Sequence, residues 1–179
     1  MASINGKIGY SLTVTAILLM IVGTIGISFE DEVNDIPTPN TPRAVYFADE
    51  PLQDNPVALL LSAKTTLTWD RSDIYLVIAD EDKKSRCDQI TPIELISPDS
   101  TTCKAEDSGY EAVGLDNSTG LKWTVENGDY YVGIGTLSDS VPEDFELNVA
   151  YTVNLNLSAT GYFLVLLLGA CGITLIKYD

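Results

Sequence analysis

Two stretches of this chain are apolar without interruption, and between them the hydrophobic positions come in short runs separated by turn residues. The first stretch, residues 8–28, reads "IGYSLTVTAILLMIVGTIGIS" and has no charged side chain. As a helix it would span about 30 Å, the thickness of a bilayer's hydrocarbon core. The second occupies residues 158–176, with the core "GYFLVLLLGACGITLI". Tyr162 and Tyr178 are expected to flank it as interfacial aromatic anchors. A soluble helix of that length would show a polar stripe, and this one shows none. Both stretches are therefore read as transmembrane helices. A cleaved signal peptide competes for the first, because Lys7 precedes it and Gly26-Ile27-Ser28 has a small-x-small pattern. The apolar run is longer than a signal peptide requires, which favours a retained helix.

The pattern changes after Phe29. Residues 29–43 are acidic and rich in proline and read as an extended linker. Over residues 44–157 short apolar or alternating runs recur: "AVYFA", "VALLL", "TTLTW", "DIYLVIA", "PIELI", "YEAVGL", "LKWTV", "DYYVGIG" and "FELNVAYTVNLNL". No helical period connects them, so many short strands forming a β-sandwich are expected. The last run is the clearest. Leu147, Val149, Tyr151, Val153, Leu155 and Leu157 alternate with Glu146, Asn148, Thr152, Asn154 and Asn156, giving one buried and one wet face. Asn127-Gly128 is a strong hairpin signal before the penultimate strand. Trp69 and Trp123 fall in strand runs and read as core residues rather than ligand platforms.

Composition then narrows the function. The formal net charge is -16, with 26 acidic and 10 basic residues, so no basic face is available for nucleic acid. The chain has no histidine, which removes the commonest general base and metal ligand. No catalytic residue, cofactor site or metal site is assigned. Asp70, Asp73, Asp80, Glu81 and Asp82 gather around one strand and are of the type that binds calcium, yet they lack the spacing of a calcium loop and read as solvated charge. Of the three cysteines, Cys171 sits in the second apolar stretch as a small packing residue. Cys87 and Cys103 lie in the polar middle and are expected to form a disulfide in an oxidising compartment.

Lys7 and Lys177 flank the two membrane segments, and the acidic domain lies between them. The positive-inside rule then places residues 1–7 and 177–179 in the cytoplasm and residues 44–157 outside the cell membrane. Asn117-Ser118-Thr119 and Asn156-Leu157-Ser158 are candidate glycosylation tripeptides, with access to Asn156 restricted by the nearby bilayer. Gly23 and Gly26 in the first segment, and Gly169 and Gly172 in the second, are expected to let helices approach closely, against each other or against a partner.

The residues "LTWDRSDIYLVIADED" and "ENGDYYVGIGTLSDSVPEDFELNVAYTV" resemble the bacterial pre-peptidase C-terminal type of domain and related jelly-roll sandwiches. The matching positions are Trp69, Asp73, Tyr75 and Leu76, then Gly128, Tyr130, Tyr131, Val132 and Ile134, then Phe145, Leu147 and Val149. Ser72-Asp73-Ile74 keeps only one of that family's paired acids. The resemblance implies a jelly-roll-like, all-β accessory domain that is not catalytic.

The expected architecture is thus an all-β sandwich ectodomain flanked by two transmembrane α-helices. Only "KYD" follows the second helix, which disfavours a sensor with a cytoplasmic output. Only residues 158–161 separate the closing strand from the helix, so a stiff coupling is expected. The favoured function is a non-catalytic accessory subunit of a membrane complex. Its partners would be other integral membrane subunits and the lipid bilayer, with no nucleic acid. The alternative is a membrane-anchored surface binding or adhesion module, assisted by calcium.

Overall fold

A computed structural model describes residues 4–97, 100–138 and 146–178 of the chain. Phe145 of the family resemblance, Met1–Ser3 of the expected cytoplasmic N-terminus and Asp179 lie outside the described residues. The elements run α1 (Ile4–Ile25), β1 (Ile27–Pro37), β2 (Val45–Phe47), β3 (Leu61–Trp69), β4 (Ile74–Asp80), α2 (Glu81–Asp88) and α3 (Pro92–Ile96). There follow β5 (Ala112–Gly114), β6 (Leu121–Val125), β7 (Tyr130–Thr136), β8 (Glu146–Leu157) and α4 (Ala159–Lys177). The chain divides into two compact units, a helical one of Met1–Phe29, Pro56–Ala63 and Asn154–Asp179, and a β unit of Glu30–Asn55 and Lys64–Val153.

In the helical unit, α1 and α4 have 22 and 19 residues, and both are long and apolar enough to cross a membrane. The first helix ends earlier than residue 28. Gly26 has φ +80° and its N–H bonds to the Val22 carbonyl at 2.8 Å, a glycine stop that only a residue without a Cβ adopts readily. The four-residue elbow before the second helix shrinks to Ser158 alone. Its Oγ accepts the Gly161 N–H at 3.0 Å, an N-cap that lets the helix begin directly after the strand.

The strands form two antiparallel sheets, ordered β1-β8-β3-β6 and β2-β7-β4-β5. The pairs β1 with β8, β2 with β7, β3 with β6 and β4 with β5 are nested, as in a long hairpin folded over on itself. Both sheets supply one apolar core, in which Leu67, Trp69, Leu121, Leu147 and Val149 meet Ile74, Leu76 and Ile78. Trp69 is buried and donates its indole N–H to the Ile74 carbonyl at 3.0 Å, and Trp123 packs against the core edge-on to Tyr130. The inward–outward alternation of β8 holds over Glu146–Ala150, and its later residues are half-buried throughout.

Several expectations are corrected. The linker over residues 29–43 is largely the strand β1, which earns little from side-chain burial, since nearly all of it is exposed. Pairing with β8 makes it a strand, reinforced by Asp35 N–H to Asn148 Oδ1 (3.2 Å) and Tyr151 Oη to Asp31 Oδ2 (3.3 Å). Its acids suit an edge strand, where charge discourages further pairing. "VALLL" contributes only Leu61 to a strand; after Pro56 the Leu60 and Leu61 N–H groups both return to the Val57 carbonyl at 2.8 Å and close a turn. Asn127-Gly128 does not make a hairpin. β7 already has β2 and β4 on its two edges, so the chain crosses from β6 in one sheet to β7 in the other.

The absence of a helical period was also misleading. "PIELI" is the helix α3, started by a capping box in which Thr91 Oγ1 accepts from Glu94 N–H and the Glu94 carboxylate accepts from Thr91 N–H. α2 starts at Asp80, whose carboxylate caps the Lys83 N–H at 2.7 Å. With the loop that follows, these helices form a lobe over β4. That strand is consequently buried on both faces: Ile74, Leu76 and Ile78 point to the core, while Tyr75 and Val77 pack under the lobe with Val45, Cys87 and Cys103. This is why "IYLVIA" is a continuous apolar run instead of an alternating one.

Candidate functional site

In the helical unit, α1 and α4 run antiparallel and meet through small residues. Gly9 lies beside Gly172, so closely that a Cβ on Gly9 would fall 2.7 Å from the Gly172 carbonyl oxygen, and one on Gly172 would fall 2.5 Å from Thr13 Oγ1. Thr13 turns its hydroxyl back to the Gly9 carbonyl at 2.9 Å, so its own polar group is satisfied within α1. Further along, a Cβ on Gly169 would meet the Ala16 methyl at 3.4 Å, an ordinary van der Waals distance. At the other end Gly23 accommodates the Leu157 side chain, and Tyr162 donates from Oη to the Gly23 carbonyl at 3.2 Å.

Of the four glycines expected to pack, Gly172 sits at the closest approach and Gly169 at a looser contact. Gly23 makes room for Leu157 at the end of β8 and meets α4 only through its carbonyl, which takes the Tyr162 hydroxyl, and Gly26 is the helix stop, its space bordered by Asn156 and Leu155. Gly9 was missed. The signal was in the sequence: Gly9, Ala16 and Gly23 recur every seven residues and are the buried side of α1, together with Gly6. The large side chains of both helices, such as Leu18, Ile21, Leu164 and Leu167, face outward. Cys171 also faces outward and is free, so it is not a packing residue between the two helices. Tyr162 occupies one end of α4 as expected, while Tyr178 is exposed just past its other end.

In the β unit, Cys87 and Cys103 form a disulfide with Cα atoms 5.7 Å apart. It ties α2 to the returning loop, and both cysteines are buried. Cys103 has φ +55°, and its N–H donates to Asp107 Oδ2 at 2.6 Å, a bond that holds this left-handed backbone in place. The same carboxylate accepts from Lys83 Nζ at 2.5 Å. Lys83 also donates to the Ser108 carbonyl at 2.8 Å and lies 4.6 Å from the Tyr110 ring centre. Beneath the lobe, Tyr75 donates to the Arg43 carbonyl at 2.9 Å. Burial, then the neighbouring Tyr110 and Glu106, pushes its phenol well above the ordinary value. Burial, then Asp107, does the same for Tyr110. This lobe is built as a clamp over β4, with Lys83, Cys87, Cys103 and Tyr75 all buried within or beneath it.

The five acids weighed for calcium do not converge. Asp70 accepts from Asn148 Nδ2 at 2.7 Å, Asp73 is held by Arg71 at 2.6 Å, and Asp80 caps α2. The guanidinium of Arg71 keeps the Asp73 carboxyl below its usual range, against an opposing effect of burial. Among the described residues no group of three or more acidic, cysteine or histidine side chains is gathered to hold a metal. Asp80, Glu81, Asp82, Gly128, Asp129 and Tyr130 instead line an open depression of about 260 Å³.

The structure separates the two glycosylation candidates. Asn117 lies in the turn between β5 and β6, its amide donating to the Trp69 carbonyl at 3.2 Å, with Ser118 and Thr119 exposed. The hydroxyl of Ser158, the third residue of the Asn156 tripeptide, is occupied as the N-cap of α4. Together, two helices able to cross a membrane and a disulfide in the intervening unit point to a membrane-associated chain in an oxidising, extracytoplasmic setting.

No protein-family model matches the chain, and no curated protein matches it either. Among solved structures it is similar to that of tomato aspermy virus, with 11% identity and a TM-score of 0.34 over 75% of this chain and 79% of that one. It is also similar to PliG of Aeromonas hydrophila, a periplasmic lysozyme inhibitor of g-type lysozyme, with 9% identity and a TM-score of 0.26 over 73% and 86%. Likenesses at this level carry no argument about function.

Proposed function

We propose that this protein is a non-catalytic accessory subunit of a membrane protein complex, with its β unit on the extracytoplasmic side of the cell membrane and both termini in the cytoplasm. The observation that carries the reading is the construction of the helix pair. The helices meet through Gly9, Ala16, Gly169 and Gly172, while bulky aliphatic residues such as Leu18, Ile21, Leu164 and Leu167 face outward, which makes a preassembled two-helix surface for larger integral subunits. The antiparallel pairing also brings Lys7 and Lys177 to the same end, in keeping with the positive-inside rule. The nested strand pairs support a jelly-roll sandwich for the β unit, since that fold is a long hairpin rolled into two facing sheets. A sandwich clamped by a disulfide lobe suits bracing or capping.

Extraction of the full chain in a mild detergent, followed by native mass spectrometry, tests the proposal. A stoichiometric integral membrane partner is expected; recovery only as a lone monomer would sink it. The second reading, an anchored surface-binding module, is favoured by the acidic depression beside Tyr130, which would suit a cationic ligand. Saturable binding of such a ligand with no membrane partner would select it.

A further inference from the structure

The turn Pro56–Leu60 belongs to the helical unit and packs on the start of α4, with the Leu60 carbonyl against Gly161. It also exposes large aliphatic side chains: Leu59 is 69% exposed and Val57 44%. We propose that this turn is a third membrane contact, an apolar wedge seated where the acyl chains meet the headgroups, in the leaflet that holds the start of α4. The proposal rests on the reading of α1 and α4 as membrane spans.

Three observations lead to it. The first is that the turn is fastened to the start of α4. The Leu60 carbonyl accepts the Ser158 N–H at 2.8 Å, and the Leu59 carbonyl accepts the Ser158 hydroxyl at 2.5 Å. Gly161 lies directly against the Leu60 carbonyl, with no room for a side chain between them. The second is length. The 19 residues of α4 extend for about 28 Å, which the hydrocarbon core uses completely. No turn of the helix is left over to lift Ser158 into the water, so the residues bonded to it sit at the boundary.

The third is continuity. At the same end of the helix pair, where Tyr162 bonds to the Gly23 carbonyl, the chain leaving α1 exposes Ile25, Ile27 and Phe29. The apolar surface of the helices thus continues past their ends on both sides. Residues 56–63 contain no charged side chain, while Asp54 and Lys64 stand just outside. The turn also satisfies part of its own backbone, with the Leu60 and Leu61 N–H groups on the Val57 carbonyl. Backbone groups paired within the turn cost less to move out of bulk water toward the hydrocarbon boundary. Interfacial seating of exposed aliphatic residues is favoured in proportion to the apolar area removed from water.

The test is nitroxide accessibility of the full chain in phosphatidylcholine–phosphatidylglycerol vesicles. Labels are placed at Leu59→Cys and Val57→Cys in a Cys171→Ser background, with Leu167→Cys as the mid-helix reference and Glu126→Cys as the aqueous one. At both turn positions the ratio of collisions with oxygen to collisions with a water-soluble nickel chelate should exceed the Glu126 value about fivefold and fall below the Leu167 value. Turn labels that match Glu126, with Leu167 still high, would overturn the wedge and leave the spans intact. Turn labels shielded from both reagents would overturn it in favour of a protein partner or second copy covering the turn. A low ratio at Leu167 as well would reject the spans and the wedge together.

Discussion

Lys83 Nζ and Asp107 Oδ2 lie 2.5 Å apart, with side-chain exposures of only 5% and 14%, and they join α2 to the loop that returns from the disulfide. A buried charge is tolerated when it is paired, and removing one partner leaves the other stranded. Asp107→Asn in the full chain should therefore lower unfolding stability by about 3–5 kcal/mol, whereas the double change Lys83→Met with Asp107→Asn, which removes the stranded charge and keeps an acceptor for the Cys103 N–H, should cost clearly less. Urea unfolding midpoints in detergent measure both. Equal losses in the single and double variants would show that the pair itself, and not the stranded charge, sets the stability.

The disulfide closes a loop with a sequence separation of 16. Cys87→Ser with Cys103→Ser should destabilise the β unit by about 3 kcal/mol, through the freedom returned to the unfolded chain. The lobe covers Tyr75 and Val77, so the change should also speed hydrogen exchange along β4. Exchange mass spectrometry reads this directly, and unaltered β4 protection would mean the lobe stays closed without its bridge.

Gly9→Leu or Gly172→Leu should each force α1 and α4 apart and cost about 1–3 kcal/mol, because the added side chain meets backbone. Gly169→Leu faces only the Ala16 methyl at 3.4 Å and should be milder. The onset of thermal aggregation of the detergent-solubilised chain gives the order. A larger effect at Gly169 than at Gly172 would contradict the packing described.

Acid should weaken the Arg71–Asp73 contact in a defined direction. The folded-state pKa of Asp73 is depressed, so its contribution to stability is present above the unfolded value near 4 and is lost as pH falls through the lower folded value. The gap in melting temperature between the native chain and Asp73→Asn should be constant from neutral pH to about pH 5 and close below about pH 4. A gap that persists at pH 2 would assign the effect to packing instead of charge.

Much of this was legible in the chain. The two apolar stretches announced their helices, Cys87 and Cys103 found each other, and Trp69 proved to be core. The start signals of α2 and α3 were also present, in Asp80-Glu81-Asp82 and in Thr91-Pro92-Ile93-Glu94, but their short helices are too polar or too brief for periodicity to reveal. Asn127-Gly128 misled for a different reason. A turn residue sets the local direction of the backbone, and which sheet receives the next strand depends on edges already filled.

The sequence by itself determined where the chain is apolar enough to cross a membrane, which residues alternate into strands, and that acids greatly outnumber bases. These follow from local composition and from periods of two or of none, which need no knowledge of distant residues. Only the tertiary structure decided that acidic β1 is a strand, that "VALLL" is a turn fastened to Ser158, that β4 is covered on both faces, and that Gly9 meets Gly172. Each of these is a long-range pairing, in which a carbonyl, a strand edge or a missing Cβ is completed by a residue far away in the chain.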